Sequence, residues 1–373
     1  GKSVFVRKIA AHYANKKTVR WASANEFTDY LEICSAWNFM TMIPQDIESI
    51  SLFFASHEEV LIIDDYHLID SRHQSKIQDL VNGISKHSKM KFILISRDTL
   101  ESDFGFEQIK MDSLDLESCC EMLGEDIELS KRKDVSEKLG RHPLALKLYD
   151  SNFESPESSI DIIDYVNKVV LKNLDEADKK LLNHMSLEPN PVKSNLSIIE
   201  PLIEKFDMQS LLKWYSESDL ELQHLVRNVT RSNLSSDETR EIHSNLSRHW
   251  KNISENGNLI NYFYHLSKSA PDIFVEQMSD SLEQIMEVNS AALAVMVDDL
   301  IEQDSNNESL RYVACKIAAK RYEAEYLKQS VEFLSGDKRL EMDFILAKLE
   351  GRLEHCEDIA EQLIANQSTF EAN

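Results

Sequence analysis

The sequence has 373 residues, of which 42% are apolar and 28% charged, a composition typical of a soluble globular protein with about two to three domains. Acidic residues outnumber basic ones by 65 to 41, and the net charge of −24 disfavours a broad electrostatic contact with nucleic acid or anionic lipid. The five cysteines form no C-x-x-C pair and no spacing typical of zinc ligands, which favours a reducing, cytoplasmic location. No apolar stretch approaches the ~18 residues of a membrane helix, so no membrane contact is predicted.

The chain opens with Gly1, Lys2 and Ser3, which match the last three positions of the phosphate loop G-x-x-x-x-G-K-[ST]. In that loop glycine lets backbone N–H groups surround phosphate, lysine reaches the outer oxygens, and the hydroxyl ligates Mg²⁺. Apolar residues recur at helical spacing from Val6 to Tyr13, so the motif is predicted to begin a helix. A helix N-terminus favours an anion, although three residues alone are weak evidence for a loop.

Two continuous apolar runs predict neighbouring strands of a parallel sheet. "VLIIDD" occupies 60–65 and "KFILISR" occupies 91–97, and further strands are predicted at 17–24 and 106–111. Amphipathic stretches alternate with these runs, as in βαβ units. Open α/β sheets bind ligands at the carboxyl ends of their strands, so the polar residues that follow the two runs are candidate site residues.

Those polar residues suit a site for a nucleotide and a metal ion. Asp64 is placed to hold the hydration shell of Mg²⁺, and Asp65 to orient or deprotonate an attacking water. Arg97, which follows the neighbouring strand, is placed to contact a γ-phosphate. The structural alternative is a core strand that ends in an acidic turn, beside a second strand that ends at the surface.

Beyond Asp112 helical patterns dominate. "GRHPLALKL" contains a helix stop followed by a helix start, and His142 and Pro143 are either structural punctuation or contacts to an adenine and its ribose. Residues 151–159 resemble a linker, and 160–230 have the order of elements of a winged helix. His224, in "LQHLVR", is by default a partly exposed residue on a strand or turn and alternatively contacts a diphosphate. A capping box at Ser235–Glu238 precedes helices that follow one another like helical-hairpin repeats.

In this order, the motifs GKS, VLIIDD, ILISR, GRHPLALKL and LQHLVR resemble the STAND class of signal-transducing P-loop ATPases, which includes NB-ARC proteins and the maltose-regulon activator family. The resemblance covers about residues 1–270. It implies an α/β P-loop NTPase core with a parallel sheet at 1–112, a helical lid at 113–155, a winged-helix domain at 156–234 and an all-α tail of TPR-like repeats at 235–373. It also implies ATP or ADP and Mg²⁺ as cofactors.

The resemblance assigns a role to each matching residue. Gly1, Lys2 and Ser3 match the end of the Walker A motif, with Ser3 on the metal; Asp64 matches the Walker B metal residue and Asp65 the acidic residue that activates water. Arg97 matches the arginine that contacts the γ-phosphate. His142 and Pro143 match the turn beside the adenine, and His224 matches the histidine that faces the β-phosphate of ADP.

The sequence departs from the family pattern in three places. Arg141 stands where the family usually has Gly, and Leu225 follows His224 where the immune-receptor branch has Asp. The first strand and the first five residues of the phosphate loop are missing, so we interpret the chain as truncated within Walker A. A chain with an incomplete loop is expected to bind nucleotide poorly and to lack activity, whereas the full-length protein is expected to be a slow ATPase.

The resemblance implies a switch in which ADP holds a closed state and ATP favours an open state that forms a homo-oligomer. The helical C-terminal region would bind protein partners. One alternative is a DNA-binding AAA+-like ATPase that uses the winged helix, which the acidic charge disfavours. The other is a helical protein-interaction scaffold with a degenerate NTPase core.

Overall fold

The chain is divided between two units, each formed from segments that are distant in sequence. The computed structural model describes residues 2–39, 47–55, 57–87, 90–97, 105–149, 162–196, 199–200, 203–253 and 258–365. The first unit joins Gly1–Phe5 to Phe106–Leu246, and the second joins Val6–Gly105 to Ser247–Asn373. The finer division into four segments stays a prediction.

A three-stranded parallel sheet forms the centre of the α/β core, residues 6–105 of the second unit. Its strands lie in the order β1-β2-β3, with bounds Val19–Ser23, Val60–Asp64 and Lys91–Leu94. The helices are α1 (Lys2–Ala14), of which residues from Val6 onward belong to this unit, α2 (Tyr30–Ala36), α3 (Ile47–Ala55) and α4 (Ser71–His87). The parallel sheet predicted from the apolar runs is confirmed.

Strand β2 is the most buried part of this core. All five residues Val60–Asp64 are buried, as expected for a strand that has a neighbour on each side and helices on its faces. Helix α1 contributes Val6, Ala10 and Tyr13 to the apolar cluster around Val60 and Ile62. The packing of α1 explains why its apolar residues recur at helical spacing.

The predicted fourth strand at 106–111 is wrong. Residues 105–115 contain no strand, and Ile109 is 76% exposed. A strand needs a neighbour to bond its N–H and C=O groups, and within the described residues β3 pairs with β2 alone. Alternating apolar residues do not form a strand without such a neighbour.

The first unit combines short helices with a small antiparallel sheet. Its strands β4 (Val192–Lys193), β5 (Leu212–Trp214) and β6 (Asp219–Leu222) lie in the order β4-β6-β5. Its helices are α5 (Leu116–Met122), α6 (Leu129–Lys138), α7 (Pro143–Lys147), α8 (Ile162–Tyr165), α9 (Glu176–Leu187), α10 (Ile203–Met208) and α11 (His224–Ser232). The predicted linker at 151–159 lies outside the described residues, and the winged-helix assignment stays a prediction.

The C-terminal part of the chain is helical, as predicted. Helix α12 (Ser236–Lys251) begins at the predicted capping box, where the Ser235 N–H donates to Glu238 Oε2 at 2.9 Å. It is followed by α13 (Asn258–Ser269), α14 (Pro271–Gln303), α15 (Glu308–Lys320), α16 (Ala324–Val331), α17 (Gly336–Leu349) and α18 (Leu353–Ala365). Helices α13–α18, called the helical array below, belong to the second unit.

Helix α14 is broken at Asn289, where the array contacts α2. Asn289 has φ −160° and ψ 91°, and its Oδ1 accepts from the Ala292 N–H at 2.8 Å, so it caps the second half of the helix. Its Nδ2 donates to Glu32 Oε1 at 3.0 Å. The break is therefore hydrogen-bonded to the α/β core.

The Glu32 carboxyl predicts an unusual pH dependence of stability. Burial and the nearby Asp29 charge raise its pKa to about 7, against the opposing effects of Asn289, Thr28 and Arg321. A carboxyl with a raised folded pKa stabilises the fold while protonated, so this contribution is lost as pH rises from about 4.5 to about 7.

Urea unfolding at about pH 5 and about pH 8 tests this expectation. Between the two pH values, the free energy of unfolding should fall more in wild type than in Glu32→Gln, because glutamine cannot ionise. Glu48→Gln, at an exposed position on α3, should follow wild type. Equal pH dependence in wild type and Glu32→Gln would contradict the assignment.

Candidate functional site

The carboxyl ends of β2 and β3 bring three of the predicted residues to one edge of the sheet. Ser23 pairs with Asp64 in register, and Ile63 pairs with Leu94. The strands are parallel, so Asp64, the last residue of β2, lies at the same edge as Asp65 and Arg97, which come after β2 and β3. This juxtaposition is the one the sequence predicted.

Hydrogen bonds to neighbouring backbone groups fix both the backbone and the side chain of Asp64. Its side chain is 1% exposed, its carbonyl accepts from the Ala24 N–H at 2.9 Å, and its Oδ1 accepts from the Asp65 N–H at 3.0 Å. An ionised carboxylate is costly to bury unless it is hydrogen-bonded or near a cation. A carboxylate at such a position is suited to hold a cation that arrives with a ligand.

Asp65 turns the chain sharply away from the strand. Its φ of +57° lies in the left-handed region, which Asp adopts more readily than most residues. The single turn Tyr66–Leu68 follows, and the Tyr66 N–H donates to the Ile95 carbonyl at 3.0 Å. Residues in this backbone region concentrate at functional sites, which fits the predicted role of Asp65.

Arg97 follows the neighbouring strand. The Ile95 N–H donates to the Ile63 carbonyl at 2.9 Å, so the ladder between β2 and β3 continues one residue beyond Leu94. Ser96 is half-buried and Arg97 is exposed. An exposed guanidinium at this edge is accessible to an anionic ligand and can form charge-assisted hydrogen bonds with it.

Lys2 and Ser3 lie in the first turn of α1 and are half-buried. Gly1 lies outside the described residues. Further along the same helix, Val6 packs against the strands of the α/β core. The prediction that the GKS motif begins a helix is therefore confirmed for Lys2 and Ser3.

His142 and Pro143 carry out the structural role that the sequence offers them. Arg141 has φ +54° and follows Gly140, whose φ is +61°, so the chain leaves α6 through two left-handed residues. His142 then caps α7 through Nδ1, which accepts from the Ala145 N–H at 3.4 Å, and Pro143 occupies the first turn. His142 is exposed, and its predicted contact with an adenine stays a prediction.

His224 is the first residue of α11 rather than a residue of a strand or turn. It is 8% exposed, and its Nε2 lies 3.2 Å from Oε1 of the buried Glu221. Tyr215 donates its hydroxyl to the same carboxylate at 2.6 Å, and Arg227 Nη1 lies 3.5 Å from it. The buried His224 therefore belongs to a polar cluster that the sequence did not reveal.

Glu221 is the residue of this cluster that sequence analysis missed. Burial raises the pKa of its carboxyl, but the hydrogen bond and charge of His224, with Lys213 and Tyr215, outweigh burial and leave the pKa below its usual range. The available signal was a carboxylate three residues before His224, between Leu220 and Leu222. This signal does not distinguish Glu221 from an ordinary polar residue of a strand.

No group of three His, Cys, Asp or Glu side chains suited to a metal ion occurs in the described ranges. A magnesium ion in a nucleotide site uses one or two protein ligands together with phosphate oxygens, so Ser3 and Asp64 fit that donor set in chemical type. None of the described helices is long and apolar enough to cross a membrane.

Comparison of structures gives the chain a known fold. It is similar to the crystal structure of a Signal Transduction ATPase with Numerous Domains (STAND) protein with a tetratricopeptide repeat sensor from Pyrococcus horikoshii, with a TM-score of 0.54 and 15% identity. The match covers 97% of this chain and 63% of that one. The fold is STAND-like.

This likeness shows the fold alone, because only 15% of residues are identical. The chain spans less than two thirds of the length of the STAND protein it matches. No protein-family model matches the chain, and no curated protein sequence does.

Proposed function

We propose that this chain is the switch region of an ATP-binding, ATP-hydrolysing signal-transduction protein. The observation that carries the proposal is the sheet edge at which Asp64, Asp65 and Arg97 lie at the carboxyl ends of two adjacent parallel strands. The STAND-like fold, with a helical array at its C-terminal end, supports it. The preference for a switch over a metabolic enzyme rests on this analogy of fold.

Each candidate residue would have a separate role in phosphoryl transfer. Lys2 would bind the outer phosphate oxygens, and Gly1 would lie at the end of the phosphate loop. Asp64 and Ser3 would hold Mg²⁺, which when bound neutralises charge on the phosphates. Asp65 would orient a water and accept its proton, and Arg97 would bind the γ-phosphate oxygens.

Three further residues would contact the nucleotide. His142 and Pro143 would contact the adenine, and His224 would contact the β-phosphate of ADP. Bound ADP would favour a closed state, and ATP would favour an open state that forms a homo-oligomer. The helical array would bind a protein partner and shift this equilibrium.

A binding titration with Mg-ADP tests the proposal. It uses a version of the protein in which a complete phosphate loop, G-x-x-x-x-G-K-S, leads into helix α1. Lys2→Ala is expected to weaken binding about a hundredfold or more, because a charge-assisted contact to phosphate is lost in a desolvated site.

Lys8→Ala is the matched control, since Lys8 is an exposed lysine of the same helix. It should bind as wild type does. Unchanged affinity in Lys2→Ala, or no binding by the wild-type protein, would point instead to a helical scaffold with a degenerate core.

A further inference from the structure

Buried charges join the α/β core to the helical array within the second unit. Arg321, at the end of α15, is 6% exposed, and its Nη2 lies 3.0 Å from Asp29 Oδ2. Its Nη1 donates to Ser290 Oγ at 3.0 Å, and its Nε donates to Glu323 Oε1 at 2.8 Å. One guanidinium of the array therefore binds a carboxylate of the core and two groups of the array itself.

A second arginine makes the reciprocal contact. Arg72, in α4 of the core, binds Asp298 Oδ2 at 2.5 Å and Glu323 Oε2 at 2.8 Å, both in the array. Glu323 is thus shared between an arginine of the core and an arginine of the array. We call Asp29, Arg72, Asp298, Arg321 and Glu323 the ionic contact.

Charges buried in this way do not maximise stability. Desolvation offsets most of the attraction within a buried ion pair, and apolar residues of equal volume often hold two surfaces together as well or better. Surfaces that separate during function are more polar than permanent ones. The charged composition of the ionic contact therefore fits a core surface and an array surface that pack in one defined arrangement and can separate.

Asp29 also connects this contact to the candidate site. Its Oδ1 caps α2 by accepting from the Leu31 and Glu32 N–H groups, both at 2.9 Å, while Oδ2 binds Arg321. The turn that leads to Asp29 leaves β1 at Ala24, whose N–H donates to the carbonyl of Asp64 at 2.9 Å. The two ends of one short segment thus contact Arg321 and Asp64.

Hydrogen bonds stiffen that segment. Asn25 Oδ1 accepts from the Phe27 N–H at 2.9 Å, and the Asn25 N–H donates to Thr28 Oγ1 at 3.0 Å. Phe27 is 2% exposed and packs edge-on against Tyr264 of the array, with 5.7 Å between ring centroids. Displacement of the array would remove Tyr264 from Phe27 and Arg321 from Asp29.

We propose that Arg321 is a positioning residue that, through Asp29 and the turn at 24–29, couples docking of the helical array to the backbone position of Asp64. Separation of the array, for example when it binds a protein partner, would loosen the end of β2. The coupling is a property of the fold, and only its consequence for a nucleotide rests on the proposed function.

Hydrogen exchange measured by mass spectrometry on the chain tests the coupling without any nucleotide. In Arg321→Gln, amides at 25–36 and 64–68 and in the second half of α14 should exchange about a hundredfold faster or more, as expected when one partner of a buried pair is lost. Amides of α11 in the other unit should not change. Arg339→Gln, which removes an exposed ion pair with Asp343 on α17, should leave all of them as in wild type.

Two further variants separate coupling from general unfolding. Arg321→Lys keeps one charge for Asp29 and should restore much of the protection at 25–36 and 64–68. Asp29→Asn combined with Arg321→Gln should show less acceleration than the product of the two single changes, because neither charge is left unpaired. Unchanged exchange in Arg321→Gln, faster exchange confined to the array, or no protection regained in Arg321→Lys would overturn the proposal.

A titration with Mg-ADP distinguishes this inference from the proposed function. If the protein with a complete phosphate loop binds Mg-ADP, Arg321→Gln should change its affinity by about fivefold or more. If wild type binds no Mg-ADP, the proposed function is overturned, and the exchange experiment still decides the coupling.

Discussion

Replacing Asp64 by Asn is expected to reduce Mg²⁺-dependent ATP hydrolysis by the protein with a complete phosphate loop about a hundredfold or more. The substitution preserves the shape of the side chain and the oxygen that accepts from the Asp65 N–H, so β2 should end as it does in wild type. It removes the negative charge that the proposal assigns to holding the metal, and a metal ion stabilises developing charge on phosphate by several kcal/mol. Phosphate release at saturating and limiting Mg²⁺ measures the effect.

Asp79→Asn provides the control, because Asp79 is an exposed carboxylate of α4 in the same unit. It should hydrolyse ATP at the wild-type rate. Hydrolysis by Asp64→Asn at the wild-type rate, with unchanged dependence on Mg²⁺, would contradict the role assigned to Asp64.

The largest loss of stability is expected from Arg72→Met. The Arg72 side chain is 6% exposed, binds Asp298 and Glu323, and lies over the ring of Tyr326 at 3.7 Å from its centroid. Methionine fills a similar volume but leaves both carboxylates without this cation, and removal of one partner of a buried pair typically costs about 3–5 kcal/mol.

Urea unfolding followed by circular dichroism measures this loss. Glu323 keeps Arg321 as a partner, which places the expected loss toward the lower end of that range. Arg339→Met removes an exposed arginine that lies 3.6 Å from Asp343, and it should change the free energy of unfolding by less than about 1 kcal/mol. Equal stability of the two variants would show that the buried charges contribute no more than a surface pair.

Features that depend on a local pattern of residues were predictable from the sequence. The apolar run that ends at Asp64 predicted a buried parallel strand, because a strand covered on both faces needs apolar residues throughout. The capping box at Ser235 predicted the start of α12 for an equally local reason. Both signals lie within a few consecutive residues.

Features that depend on distant partners were not predictable. Residues 106–111 have the composition of a strand, but no described strand lies beside them. Asp29 and Arg321 are 292 positions apart, and neither has a local signal that would identify the other. His224 is a different case: it was predicted to be partly exposed, and although Glu221 lies only three positions before it, the sequence does not show that both side chains are buried.

The most direct test of a nucleotide-operated switch identifies the nucleotide that the purified protein carries. The protein with a complete phosphate loop is denatured, and the released small molecules are separated and identified by mass spectrometry. We expect ADP to be released by wild type and by Lys8→Ala, and to be lost in Lys2→Ala. A wild-type protein that releases no nucleotide and binds no added Mg-ATP would contradict this expectation.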